Sequence, residues 1–318
     1  MNKGWIYREK IKAADEGQTV LEYYSQKYSH SNRAEWQARI TSEQILLNSS
    51  PTDLTAIIHR GDRLEYHRPP WNEPEVPLEF KILYEDQDLL VIDKPSGLPI
   101  MPGGGFLENT LLWQLKKDYS QDPPTPIHRL GRGTSGLMLL GRSPLAKSSL
   151  AQQMRHSTSD RHNHKIGKVY RVLVQGNSIS DRLQIEQPIG KIAHPVLGYV
   201  YGAISDGKPA YSESRVIQRY DRHTLLEVTI FTGRPHQIRI HMASVGYPLL
   251  GDPLYISGGT FAPISSQEKE ERSPIPVPGD CGYYLHAYRL SFVHPRSQKK
   301  VSFECPTPST WDSLITQD

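Results

Sequence analysis

Cysteine is nearly missing from this chain: Cys281 and Cys305 are the only two in 318 residues. They are too few for a disulfide framework and too far apart for a zinc site, which fits a reducing compartment. No apolar run approaches the ~18 residues of a membrane-spanning helix. The start Met1-Asn2-Lys3-Gly4-Trp5 also lacks the apolar core of a secretion signal. A soluble, cytoplasmic protein without membrane contact is therefore expected. Net charge is scarce too, only +3, so the global balance does not by itself announce a nucleic-acid binder. What remains is a chain long enough for two domains and a sizeable core.

The charge that is present is unevenly placed. Thr125 to Gln175 holds nine basic residues, among them Arg129, Arg132, Lys168 and Arg171, against one acid, Asp160. A patch of that sign attracts phosphate backbones, although a solvated surface whose acids come from elsewhere in the fold would read the same way. Inside it lies Pro126-Ile127-His128-Arg129-Leu130-Gly131-Arg132-Gly133-Thr134-Ser135-Gly136-Leu137-Met138-Leu139-Leu140, a polar loop feeding an apolar segment of the length of a buried strand. Another absence sits here. Apart from His128 the stretch has no strong acid-base group, and Gly131 and Gly133 read as turn residues permitting positive φ.

Taken in order, residues 1–67 form a small module. Thr19 to Tyr24 opens one helix; Ser31 to Ile40, capped by Ser31, forms a second that displays Arg33, Gln37 and Arg39 on one side. Gln44 to Asn48 and Asp62 to Tyr66 are strand-like. Residues 68–77 carry four prolines and make a stiff linker. Residues 78–318 begin with a hairpin, Lys81 to Tyr84 and Leu89 to Ile92, and continue with a helix from Glu108 to Asp118. A helix from Ser143 to Arg155 follows the central strand. Gly167 to Gly176 is a strand on which Tyr170 shares a face with Val172 and Val174, so its ring points into an apolar interior. Ser214 to Tyr220 and Thr224 to Phe231 pair as a hairpin. Thr232 to Gly246 reads as a helix with Pro235 in its first turn, which puts Arg234 at a helix N-terminus, where an anion is favoured. Residues 257–280 look like an insert, and strands around Leu285 to Val293 and Val301 to Glu304 close the chain. The sum is an α+β fold with an antiparallel-rich sheet. His162 and His164 are poorly spaced for a metal pair and have no neighbouring ligands, so no metal is expected.

The first seventy residues, helix, helix, strand, strand with Arg33, Gln37 and Arg39 on view, resemble the alpha-L-type RNA-binding module, with Glu43 where that module usually has glycine. An ordinary helical cap is the plainer alternative. The whole chain resembles the RluA-type family of RNA pseudouridine synthases. The likeness is carried by Leu83 to Leu98, by His128-Arg129-Leu130 with Thr134-Ser135-Gly136-Leu137, and by Lys168-Val169-Tyr170. Thr232 to His241 followed by Leu250 to Tyr255, and Leu285-His286-Ala287, complete it. The resemblance implies cofactor-free conversion of a uridine in ribosomal or transfer RNA to pseudouridine. Arg129 would wedge into the stack, with His128 and Arg132 beside it on the RNA; Tyr170 would stack on the flipped base, and Arg234 would pair with the catalytic aspartate.

That aspartate follows His-Arg-Leu in the family, and here the position is Gly131. Glycine cannot attack, accept a proton or carry charge, and losing an essential catalytic group typically costs roughly 10⁴ to 10⁶ in rate. Asp160, Asp252 or an RNA phosphate could answer Arg234 instead. Two readings stay open: a synthase whose chemistry is relocated or weakened, and a non-catalytic RNA-binding or RNA-folding factor that kept the groove. An unrelated acid-base enzyme built on His128 and His236 is a third.

Overall fold

The computed structural model describes residues 1–28, 30–159, 166–194, 197–256, 258–261 and 276–315. Asp160, His162 and His164, and most of the 257–280 insert, lie outside them. The chain divides into two compact units, one of Met1–Pro74 and one spanning Glu75–His194 and Gly198–Asp318.

In the first unit, β1 (Trp5–Lys10), α1 (Val20–Lys27), α2 (Arg33–Thr41), β2 (Ile45–Leu47), β3 (Ser50–Pro51) and β4 (Arg63–Arg68) follow one another. The sheet order is β1-β4-β2-β3. Both helices start on capping boxes that satisfy otherwise orphaned amides, Thr19 with Glu22 and Asn32 with Glu35. The cap of α2 is thus Asn32, one residue later than expected; Ser31 instead accepts a 2.8 Å hydrogen bond from Arg39. Glu43 takes a left-handed φ of 56°, the conformation glycine adopts more cheaply. Strand β1 went unforeseen because its alternation is broken by charge, Arg8 and Glu9 standing side by side.

The second unit is built on a ten-stranded sheet. Its strands are β5 (Lys81–Glu85), β6 (Leu89–Lys94), β7 (Thr125–Pro126), β8 (Ser135–Gly141), β9 (Gly167–Gln175), β10 (Arg182–Ile185), β13 (Ser212–Arg219), β14 (His223–Ile230), β15 (Leu285–Val293) and β16 (Lys300–Glu304). The hairpin β11 (Ile189–His194) and β12 (Gly198–Ala203) stands apart as a two-stranded sheet. The main path runs β10-β13-β14-β9-β15-β8-β6-β5, and every named pair is antiparallel except β15 with β8. The fold is α+β with a mainly antiparallel, mixed sheet. Among the described residues four α-helices accompany the sheet: α3 (Leu111–Asp118), α4 (Pro144–Ser159), α5 (Gln237–Ser244) and the short α6 (Asp312–Ile315). Among the described residues no helix is long and apolar enough to cross a membrane.

Insertion of β15 between β8 and β9 decides where the functional residues meet. Ala287 is paired with Gly136 on one side and with Tyr170 on the other. Gly136 is obligatory there: its φ is +101°, and a Cβ would lie 2.4 Å from the Ala287 carbonyl oxygen. The loop before β8, the ring of Tyr170 and the residues leading into β15 are therefore brought to one end of the sheet.

Candidate active site

All seven residues of β8 are buried, which anchors the loop that precedes it. The loop is fastened from a second direction by Lys94, fully buried at the end of β6. Its ammonium donates to the carbonyl oxygens of Pro95 (2.8 Å), Leu98 (3.0 Å) and Arg132 (3.2 Å). Burial pulls the Lys94 pKa down to about 7, but three acceptors call for three hydrogens, which only the ammonium form supplies. Ser96 adds a 2.7 Å bond to the Gly133 carbonyl, and the Gly97 amide a 2.8 Å bond to that of Arg132. The 131–133 loop is thus held by backbone carbonyls, independent of its own side chains.

His128 braces the same loop. Its Nε2 accepts the Leu139 amide at 3.0 Å, and burial lowers its pKa to about 4. The imidazole is neutral and its acceptor nitrogen is occupied, so of His128 and Arg129 only Arg129 offers a positive charge to RNA. Arg129 is exposed. Arg132 lies half-buried, its guanidinium 5.2 Å from the Phe106 ring.

These residues border a small open cleft lined by Arg129, Leu130, Gly131, Thr134, Tyr170, Ile230, Arg234, His236, Gln237, Ile238, Arg239, Tyr283 and Leu285. No Asp or Glu is among the described residues lining it. Tyr170 packs against the cluster containing Val172 and Val174, as strand alternation requires, and burial pushes its phenol up to about 12. It is a neutral aromatic face at the rim of an apolar floor formed by Ile230, Ile238 and Leu285.

The arginines are placed differently from expectation. Helix α5 begins at Gln237, and His236, with φ +54°, ends a loop that contains Arg234. The loop is held by Gln237, whose Oε1 accepts from the Thr232 hydroxyl (2.7 Å) and the Arg234 amide (3.1 Å). Arg234 sends its Nε to the Pro209 carbonyl at 2.9 Å and has no carboxylate within ion-pair distance among the described residues. The arginine with a carboxylate is Arg239, 2% exposed, whose Nε and Nη2 donate to the two oxygens of Asp252 at 2.7 Å each. Asp252 also accepts the amides of Leu254 (2.9 Å) and Tyr255 (3.0 Å). With four donors on it, Asp252 is a structural anion rather than a free base, and it does not answer Arg234. His236 bonds the Tyr255 hydroxyl at 2.7 Å; because that hydroxyl donates to the Tyr201 carbonyl, His236 Nδ1 carries the proton. Burial lowers its pKa to about 4.

The chain does turn here, the Thr134 amide donating to the Gly131 carbonyl at 3.1 Å, but neither Gly131 nor Gly133 adopts a positive φ, so backbone freedom does not explain these two glycines. They are small because Tyr283 occupies the space beside them. In the first unit Arg33 and Gln37 are exposed, but Arg39 is turned toward Ser31 and packs its guanidinium 4.4 Å from the Trp36 ring. The three do not form one displayed row, because 39 lies two residues beyond 37 and most of a half-turn away. A carboxylate-histidine group, Asp86, Asp88 and His294, could in principle hold a cation. Its most buried member is already spent: Arg296 grips Asp88 at 2.6 and 2.9 Å and Ser143 binds it at 2.5 Å.

Sequence reasoning passed over Lys94, Arg239 and Tyr283. Arg239 had a signal, since an arginine within the apolar run Ile238 to Ala243 must find a buried partner. Tyr283 had none locally; it reaches Thr134 from 149 residues away.

Comparison with known proteins gives this geometry a family. The family model described as RNA pseudouridylate synthase matches residues 88–244, which include the loop, Tyr170 and α5. An uncharacterized RNA pseudouridine synthase of Synechocystis is 47% identical over 94% of this chain and 96% of its own length. The chain belongs to the RluA-type RNA pseudouridine synthase family. A rice protein named RNA pseudouridine synthase 5 is 40% identical, over 96% of this chain and 88% of its own length. The fold is also that of human RNA pseudouridylate synthase domain containing 1, with a TM-score of 0.53 at 22% identity over 76% of this chain and 89% of that one.

Proposed function

We propose that this protein binds structured ribosomal or transfer RNA in the cytoplasm, turns one uridine out of its stack into the Gly131 cleft and isomerises it to pseudouridine without a cofactor. The observation that carries the reading is the convergence of Arg129, Tyr170 and Arg234 around one small cleft in a chain of this family. Extruding a base costs a few kcal/mol, and each of these groups offsets part of that cost. Exposed Arg129 fills the vacated stack, the Tyr170 ring covers a face of the pyrimidine, and Arg234 meets a phosphate in place of a carboxylate. Arg33 and Gln37, exposed one turn apart on α2, add contacts to the RNA.

One observation favours a second reading. With no carboxylate lining the cleft among the described residues, the same apparatus serves an RNA-binding or RNA-folding factor that holds a flipped uridine without converting it. Pseudouridine mapping of total RNA from cells with and without the protein separates the two. Loss of one defined pseudouridine, restored by the purified protein, is the expected result; an unchanged profile in both ribosomal and transfer RNA sinks the synthase reading in favour of the binder.

A further inference from the structure

Gly131 leaves open the place where the family's acid stands, and that place is taken. A Cβ on Gly131 would lie 2.8 Å from the Tyr283 hydroxyl oxygen and 3.4 Å from Thr134 Oγ1, and one on Gly133 would lie 2.9 Å from carbons of the Tyr283 ring. Since neither glycine has a left-handed backbone, other residues could make the turn; it is the ring that requires both positions to be bare. Gly131, Gly133 and Tyr283 form one packing unit.

The ring itself is fixed. Tyr283 is 5% exposed, and the Arg239 guanidinium lies 4.2 Å from its ring centre, held there by Asp252. Its hydroxyl shares one 3.3 Å hydrogen bond with Thr134. A phenol can donate once and accept twice, so with Thr134 as the donor of that bond the Tyr283 proton is left over. The neighbouring donors are committed: Gln237 Nε2 to Tyr211 and Ser212, Arg239 to Asp252 and Pro278, His236 Nδ1 to Tyr255.

We propose that Tyr283 is the residue through which this cleft holds the flipped nucleotide: its hydroxyl replaces the side chain that position 131 lacks and donates a hydrogen bond to a uracil carbonyl oxygen. The assignment rests on the uridine-flipping reading above. Burial raises the Tyr283 pKa, so the group is a neutral donor suited to a carbonyl, while the Arg239 cation beneath the ring works in the opposite direction and sharpens that donor. The site thereby recognises a pyrimidine by a hydrogen bond where relatives with the acid present a charge. It also follows that Gly131→Asp alone collides with the Tyr283 hydroxyl rather than restoring an acid.

The test uses the full-length protein and uridine 5′-monophosphate, titrated by calorimetry into wild type and Tyr283→Phe. The expected result is an affinity about five- to tenfold weaker in the variant, the range for loss of one hydrogen bond, with an unfolding midpoint lowered only slightly by loss of the Thr134 contact. Equal affinities, or no binding to wild type, overturn the proposal. Gly131→Ala supplies an independent arm: it should lower the unfolding midpoint when Tyr283 is present and have little effect in the Tyr283→Phe background. Equal losses in both backgrounds overturn the packing unit. The synthase reading is judged separately by pseudouridine formation, so wild type that binds the nucleotide through Tyr283 yet makes no pseudouridine rejects that reading and retains this one.

Discussion

The cleft has two walls of opposite construction. On one, Arg239, Asp252, Tyr255 and Tyr283 satisfy one another: a bidentate ion pair almost wholly removed from water, with tyrosine rings 4.9 and 4.2 Å from the guanidinium. On the other, Arg129 is exposed and the Arg234 guanidinium has only the Pro209 carbonyl among the described residues. A buried guanidinium without an anion would be costly, so the first wall must be complete before any RNA arrives. The second can wait, because exposed cations stay hydrated until a phosphate displaces that water. The difference teaches which arginine belongs to the scaffold and which to the ligand, and it reverses the weight that the chain order alone gives to Arg234.

The sharpest way to break the comparison is to open the closed wall. Asp252→Ala leaves Arg239 as an uncompensated charge 2% exposed, and we expect a loss of about 3–5 kcal/mol of stability. Urea unfolding should show it as a lower midpoint with an unchanged slope. Replacing both partners by apolar residues, Arg239→Met with Asp252→Leu, should recover most of that loss. If the single variant unfolds at the wild-type midpoint, the wall is not the rigid element assigned here.

A smaller effect is expected at the rim, on Tyr170. Among the described residues lining the cleft, Tyr170 is the one tyrosine besides Tyr283. Tyr170→Ala should weaken binding to ribosomal RNA by about 1–3 kcal/mol, the usual worth of a base–aromatic stack, and Tyr170→Phe by less than about 1 kcal/mol. Filter binding at fixed salt reads both. Equal losses from the two changes would mean that the hydroxyl, not the ring, makes the contact.

The contrast between the walls also marks how far the sequence could be read. Period-two alternation put Tyr170 on the apolar side of its strand, and the unbroken run Leu137 to Leu140 marked β8 as a buried strand; both signals are local and carried by side-chain chemistry. Thr19 to Tyr24 likewise marked the opening of α1, where the structure adds the Thr19–Glu22 capping box. The start of α5 was misread because Pro235 suits a first helical turn, whereas Gln237 ties Thr232 and the Arg234 amide into a loop instead. That shift of a few residues exchanges the environments of Arg234 and Arg239. The smallness of Gly131 was visible, but its cause was not: a ring delivered by β15 from the far end of the chain leaves no mark on the loop it shapes.

The smallest expected effect tests the open wall. If Arg234 meets one phosphate and nothing else, Arg234→Gln should weaken binding about equally across RNA sequences and reduce the slope of log affinity against log salt concentration by about 1. Arg129 differs in kind, because a wedge gains by stacking as well as by charge. Arg129→Lys keeps the charge and loses the plane, so it should leave the salt slope unchanged while lowering affinity. Measured together over a salt series, the two variants separate a phosphate contact from a stacking one. A sequence-dependent loss in Arg234→Gln would instead place that guanidinium on a base, and the open wall would then read the RNA as well as hold it.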